Sequence, residues 1–264
     1  MTPLSRRIAL ALPLLAAPAL PRAQAARRIV LVHGAFEDAG CWAAVAPRLE
    51  AAGWSVTAVN LPGRAPDRTP PGQVTLDTMS TAVVEALGAG PSAVLLGHSF
   101  GGIVVSAAAE AAPERVRRLV YLAAYLPRDG ESLLTLAGRD PASDLGPGFV
   151  VDGAAGVARV RADLRAPLFC GGCDAATAGR VAAGMVDEPL GPPGTPVRLT
   201  AERFGRVEKV YIRTVRDRVV SPALQTAMLE ATPVLRTLTL EAGHAPHNAQ
   251  PEAVAATIAD AASS

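Results

Sequence analysis

The chain has 264 residues, half of them hydrophobic and 19% charged, with a formal net charge of +1 at pH 7. That length and apolar share suit one large core-bearing α/β domain and argue against long disorder. A single lysine, Lys209, stands among many arginines and no basic stripe is present, which makes nucleic acid and anionic membrane surfaces poor partners.

Residues 1–25 read as an export signal rather than as part of the fold. Ser5-Arg6-Arg7 precedes an apolar run from Ile8 to Leu20, and Ala23-Gln24-Ala25 offers a small-residue cleavage site. The run is short for a bilayer span and carries Pro13 and Pro18, so no stable membrane insertion is expected. The paired arginines point to twin-arginine export. Without Arg6, Arg7 and Arg22 the formal charge falls from +1 to about −2. The mature chain, residues 26–264, is then expected in the periplasm or outside the cell.

From Arg28 onward, short apolar runs alternate with amphipathic stretches. Strands are predicted at Ile29–His33, Ser55–Asn60, Ala93–Gly97, Leu119–Ala123, Lys209–Thr214 and Arg236–Glu241. Their Val, Leu and Ile content with little polar alternation fits strands covered on both faces. Helices are predicted at 41–52, 75–88, 101–111, 221–231 and 250–262. This alternation predicts an α/β fold with a mostly parallel, doubly wound sheet. A Gly- and Pro-rich stretch, about 128–203, interrupts it, with weak helical patches at 131–138, 156–165 and 174–185. So long an excursion between two strands predicts an inserted helical cap, placed over the carboxyl ends of the strands where such sheets carry their sites.

The strongest chemical signal is Gly97-His98-Ser99-Phe100-Gly101, a G-x-S-x-G with an apolar strand before it and a helix pattern after it. It nominates Ser99 as nucleophile, held on a tight turn with the free N–H groups of the next helix aimed at it. A serine hydroxyl needs a base, and the base needs an acid to orient it, in the chain order Ser, acid, His. Only His244 and His247 follow Ser99. His244 directly follows the last strand and is the favoured base, with His247 assigned to the loop before the last helix. Asp217, in the exit loop of the next-to-last strand, is the favoured acid, and Asp129 its rival. The oxyanion donors are expected to be the N–H groups of Ala35 and Phe100. His33 and His98 read as buried structural hydrogen-bonders.

Leu31-Val32-His33-Gly34-Ala35-Phe36, Cys41-Trp42, Gly97-His98-Ser99-Phe100-Gly101-Gly102, Ala201-Glu202-Arg203-Phe204-Gly205 and Gly243-His244 together resemble the α/β-hydrolase branch of plant methylesterases and hydroxynitrile lyases. Small bacterial esterases share this branch. The resemblance runs from about residue 28 to the C-terminus and is weakest over 128–195. It implies an eight-stranded sheet, a Ser–Asp–His triad that favours Asp217, and a helical cap over an apolar pocket. It also implies a test by position. The lyases carry a threonine after the first strand's histidine and a lysine after the catalytic histidine, where this chain has Gly34 and Ala245.

Hydrolysis of small apolar carboxylic esters through an acyl-enzyme needs neither residue, and it is the leading expectation. A hydroxynitrile lyase, a C–C hydrolase or a non-catalytic ligand receptor on the same scaffold are the alternatives. Phe36, Gly34 and Ala245 are the candidate substrate-binding residues, and no metal or cofactor is called for. Cys170-Gly171-Gly172-Cys173 lacks a second pair to complete a zinc site. It reads either as a local disulfide or as two free thiols, and Cys41 as a buried apolar residue.

Overall fold

The computed structural model describes residues 27–263, so the stretch 1–25 expected to be an export signal lies outside the described residues. In chain order the elements are β1 (Arg27–Val32), α1 (Ala46–Ala51), β2 (Trp54–Val59), α2 (Leu76–Leu87), β3 (Ala93–His98), α3 (Gly101–Ala111) and β4 (Val116–Leu122). Next come α4 (Leu133–Ala137), β5 (Phe149–Asp152), β6 (Val157–Val160), α5 (Ala162–Phe169), α6 (Ala175–Gly184), β7 (Glu188–Pro189) and α7 (Gly191–Gly194). The chain closes with β8 (Lys209–Thr214), α8 (Pro222–Ala231), β9 (Arg236–Leu240), α9 (Pro246–Ala249) and α10 (Pro251–Ser263).

Six strands form one all-parallel sheet in the order β2-β1-β3-β4-β8-β9. Alternating side chains sort onto its two faces because successive Cβ atoms point to opposite sides. Ile29, Leu31, Val94, Leu96, Val210 and Ile212 pack on one face with Trp42, Leu49 and the α10 residues Val254 and Ile258. Val30, Val32, Leu95, Leu119 and Tyr211 face the other way, against Met79 and Val83 of α2 and Ile103 and Val104 of α3. Both faces are covered, as the continuous apolar strands required.

All six predicted strands are present, fewer than the eight implied by the resemblance. The other strand-forming residues go instead into a separate antiparallel sheet, β5-β6-β7, within the inserted segment. The helical patch expected at 156–165 is therefore part strand. Asp152 Oδ1 accepts from Ala155 N at 3.0 Å and Gly156 has φ +69°, which turns β5 back onto β6. The helix starts only at Ala162. The predicted 41–52 helix also divides, into a 3₁₀ turn at Ala39–Trp42 and then α1, with Pro47 in its first turn.

Helix starts carry their expected chemistry. Thr75 and Thr78 form a reciprocal capping box on α2, and Ser221 caps α8 by accepting from Leu224 N ahead of Pro222. Among the described residues no helix is long and apolar enough to cross a membrane.

Candidate active site

Ser99 leaves β3 on a turn that sequence makes tight. Its φ is +52°, and Phe36 (+63°) and Ala123 (+46°), at the exits of β1 and β4, share that left-handed region. Such conformations cost about 1–3 kcal/mol each in non-glycine residues and gather where a site needs them. The turn closes because position 97 has no side chain, since a Cβ there would lie 2.5 Å from Gly101 O. Position 101 is bare for the same reason, with His33 O 2.7 Å away. Backbone bonds lock the turn: Ser99 N donates to Leu122 O at 3.2 Å, and Tyr125 N donates to Ser99 O at 3.1 Å.

The exits of β3, β8 and β9 bring three predicted residues together. His244 Nε2 lies 2.8 Å from Ser99 Oγ, and His244 Nδ1 lies 3.0 Å from Asp217 Oδ2. Asp217 Oδ1 accepts from Val219 N (2.8 Å) and Val220 N (2.9 Å), and Oδ2 also accepts from the Thr214 hydroxyl at 2.9 Å. Gln225 braces this loop from α8, donating to the carbonyls of Thr214 and Val220. All four of these side chains are buried, and Ser99 is 6% exposed. The partners fix the tautomer. Nδ1 carries the proton given to Asp217, which leaves Nε2 free to accept from Ser99.

The Ala35 and Phe100 amides have no intramolecular acceptor among the described residues, whereas the flanking Gly34 and Phe36 amides donate to Glu37 Oε2 and Glu188 Oε2. A cavity of about 400 Å³ reaches Ser99. Ala35, Phe36, Leu133, Phe149, Phe169 and Val219 are among its largely apolar wall. Phe36 meets Phe149 and Phe169 edge-on, at 6.0 and 6.3 Å between centroids, and Phe169 stands edge-on to His244 at 5.5 Å.

Of the substrate-binding candidates only Phe36 lines this cavity. Gly34 lies behind the nucleophile, where a Cβ would come within 2.9 Å of both Ser99 Cβ and His98 Nδ1. Ala245 is 4% exposed and packed into the core. Asp129, the rival acid, is occupied elsewhere, with Oδ1 accepting from Leu199 N at 2.9 Å. His33 is a structural hydrogen-bonder as expected. Its Nδ1 donates to Gly34 O and its Nε2 accepts from Leu61 N, and burial with the nearby Arg64 charge lowers its pKa to about 3. Cys41 is only partly buried, in the 3₁₀ turn. Cys170 and Cys173 are joined as a disulfide.

Sequence reasoning missed Glu37 and the inward turn of His247, which lies before the last helix as expected. The His247 side chain is fully buried and turns inward, with Nε2 3.0 Å from Glu37 Oε1. His98 Nδ1 is 2.9 Å from Glu37 Oε2, and His98 Nε2 is 3.0 Å from the His244 carbonyl oxygen. Both neighbours of the His98 ring are acceptors, so both nitrogens carry protons and the ring is an imidazolium. Burial opposes that charge, but the Glu37 carboxylate outweighs it and raises the His98 pKa above its usual 6.5. Against the same burial, the two histidines hold the Glu37 carboxyl well below its usual 4.5. The ligand atoms of Glu37, His98 and His247 lie within 4.8 Å of one another, close enough for a metal ion. In this arrangement protons already occupy the positions between them.

The depressed Glu37 pKa contributes stability above about pH 4.5 that is lost as pH falls through the folded value. The raised His98 pKa contributes stability below about pH 6.5 that is lost as pH rises through the folded value. Glu37→Gln is therefore expected to cost about 3 kcal/mol between those limits and less on either side. Urea midpoints of both proteins across pH check this, and a penalty independent of pH would contradict the ion pair.

A pyrethroid hydrolase of Sphingobium wenxiniae is 30% identical over 248 residues, covering 88% of this chain and 86% of that protein. Putative methylesterase 11 of Arabidopsis thaliana is 27% identical over 246 residues, covering 85% of this chain but only 61% of the longer plant protein. Among solved structures, a pyrethroid hydrolase from Sphingobium faniae aligns with a TM-score of 0.76 at 27% identity, over 89% of this chain and 97% of that one. Polyneuridine aldehyde esterase aligns at 0.78 with 25% identity, over 89% and 98%. Residues 29–257 match the alpha/beta hydrolase family, and the chain belongs to that family, with relatives that include a pyrethroid hydrolase, putative methylesterases and an alpha-hydroxynitrile lyase.

Proposed function

We propose that this protein is a serine esterase that cleaves small, apolar carboxylic esters through an acyl-enzyme on Ser99. The observation that carries the reading is the continuous line Asp217–His244–Ser99, at 3.0 and 2.8 Å, ending at the mouth of an apolar cavity. In this mechanism Ser99 Oγ attacks the ester carbonyl as His244 Nε2 takes its proton. Asp217 holds the resulting imidazolium through Nδ1. The carbonyl oxygen, now negative, is received by the Ala35 and Phe100 amides, neither of which has a protein acceptor among the described residues. His244 then protonates the departing alkoxide. A water, deprotonated by His244, attacks the acyl carbon; as the Ser99–acyl bond breaks, His244 returns its proton to Ser99 Oγ and the acid leaves.

Position 34 supports hydrolysis over the lyase alternative. Where the resembled lyases place a threonine, any side chain here would press against Ser99 and His98, so this strand exit offers no hydroxyl beside the nucleophile. Position 245 offers no ammonium, being a buried alanine. Export is proposed as well, since a local disulfide of the Cys170–Cys173 kind persists in oxidising compartments.

Turnover of 4-nitrophenyl acetate, butanoate and hexanoate by the purified protein tests the reading. Hydrolysis is expected for all three. Release of cyanide from mandelonitrile without ester cleavage would overturn it in favour of a lyase.

A further inference from the structure

Four residues lining the Ser99 cavity have polar side chains: Ser99, Tyr125, Ser143 and Glu188. Three of them are engaged. Ser99 Oγ is on His244, and the Ser143 hydroxyl donates to Val219 O at 2.8 Å. Glu188 Oε2 accepts from Phe36 N and from the Arg64 guanidinium, while its Oε1 is sealed inside protein.

Tyr125 differs. It is 3% exposed, yet among the described residues its hydroxyl has neither an acceptor nor a donor. Nor is that hydroxyl one of the enclosed orphan atoms, so its open side is the cavity. A buried phenol O–H ordinarily finds a partner. Burial, reinforced by the Asp217 and Asp140 carboxylates, pushes its pKa up, so the group keeps its proton at neutral pH. Its backbone is pinned to the nucleophile turn. Tyr125 N donates to Ser99 O, and the bare face of Gly102 lies against the Tyr125 carbonyl. The phenol is thus a preorganised donor at a fixed offset from Ser99, in a wall that otherwise recognises only shape.

We propose that Tyr125 is the specificity-determining donor of this site, selecting esters whose chain carries a neutral oxygen acceptor, an ether or second carbonyl, over all-carbon esters of equal length. The inference rests on the esterase reading above. A donor left unpaired by an all-carbon chain discriminates against that chain, because it is desolvated without compensation.

The test is a set of 4-nitrophenyl esters, the hexanoate and its analogues with one ether oxygen replacing in turn each chain methylene beyond the one next to the carbonyl. Two readouts are compared for Tyr125 and Tyr125→Phe: kcat/KM in the active enzyme, and Kd in a Ser99→Ala background that leaves the ester intact. For at least one ether position, Tyr125→Phe is expected to lower kcat/KM and weaken binding about tenfold relative to the hexanoate. Hexanoate turnover should hold or rise, since Tyr125→Phe removes the donor that an all-carbon chain leaves unpaired, and the melting temperature should stay unchanged because the hydroxyl has no protein partner to lose among the described residues. Equal effects on every ester, or none on any, would overturn the proposal. Selective binding without turnover would keep it and discard the esterase reading instead.

Discussion

Replacing Ser99 by alanine is expected to lower ester turnover about 10⁴- to 10⁶-fold while leaving the protein folded. The size of the loss follows from the line of hydrogen bonds. Without the hydroxyl, His244 has nothing to deprotonate but water, and the amides of Ala35 and Phe100 are left to polarise the carbonyl alone. The stability should change by no more than about 1 kcal/mol. Alanine is already tolerated at positive φ in this protein, at Ala123, and the backbone bonds from Ser99 N and to Ser99 O survive the change. Steady-state rates with urea midpoints measured alongside check both halves. Retention of most activity would remove Ser99 from the chemistry.

Asp217→Asn is expected to reduce kcat/KM about 10⁴-fold through a proton in the wrong place. The side chain is sandwiched between donors on both sides. Oδ1 takes the Val219 and Val220 N–H groups, while Oδ2 takes the Thr214 hydroxyl and His244. An asparagine must keep its oxygen toward the two amides, so its NH₂ turns toward His244. Nδ1 then has to accept, Nε2 acquires the proton, and the ring donates to Ser99 when it should accept. The shape of the site barely changes. The check is kcat/KM with a fold control by circular dichroism, and a loss below about tenfold would show that Asp217 does not set the tautomer.

Much of this site was legible because its parts lie at strand exits that a linear pattern marks. Ser99 is marked by small neighbours that the turn cannot do without, and His244 and Asp217 by their places after the last two strands of a parallel sheet. The Glu37–His98–His247 cluster was not legible in that way. It joins the exit loop of β1, the end of β3 and the short helix α9, which are far apart in the chain, and no local spacing says that two histidines share one carboxylate. The one local signal was the place of Glu37 in the exit loop of the first strand. Gly34 is expected in the pocket from its place after the first strand, but its position behind Ser99 makes it a spacer and not a pocket residue. The inserted segment misled because four-residue strands such as Val157–Val160 carry too little pattern to separate from a helical turn. Tyr125 depends on what the other cavity residues are already bonded to, which only three dimensions can show.

The most direct test of the central claim is trapping the acyl-enzyme. Rapid mixing of the protein with excess 4-nitrophenyl butanoate, followed by acid quench and peptide mass analysis, should show a burst of nitrophenol and a butanoyl group on the peptide carrying Ser99. Nitrophenol release with no covalent adduct, and at an equal rate in Ser99→Ala, would contradict the account.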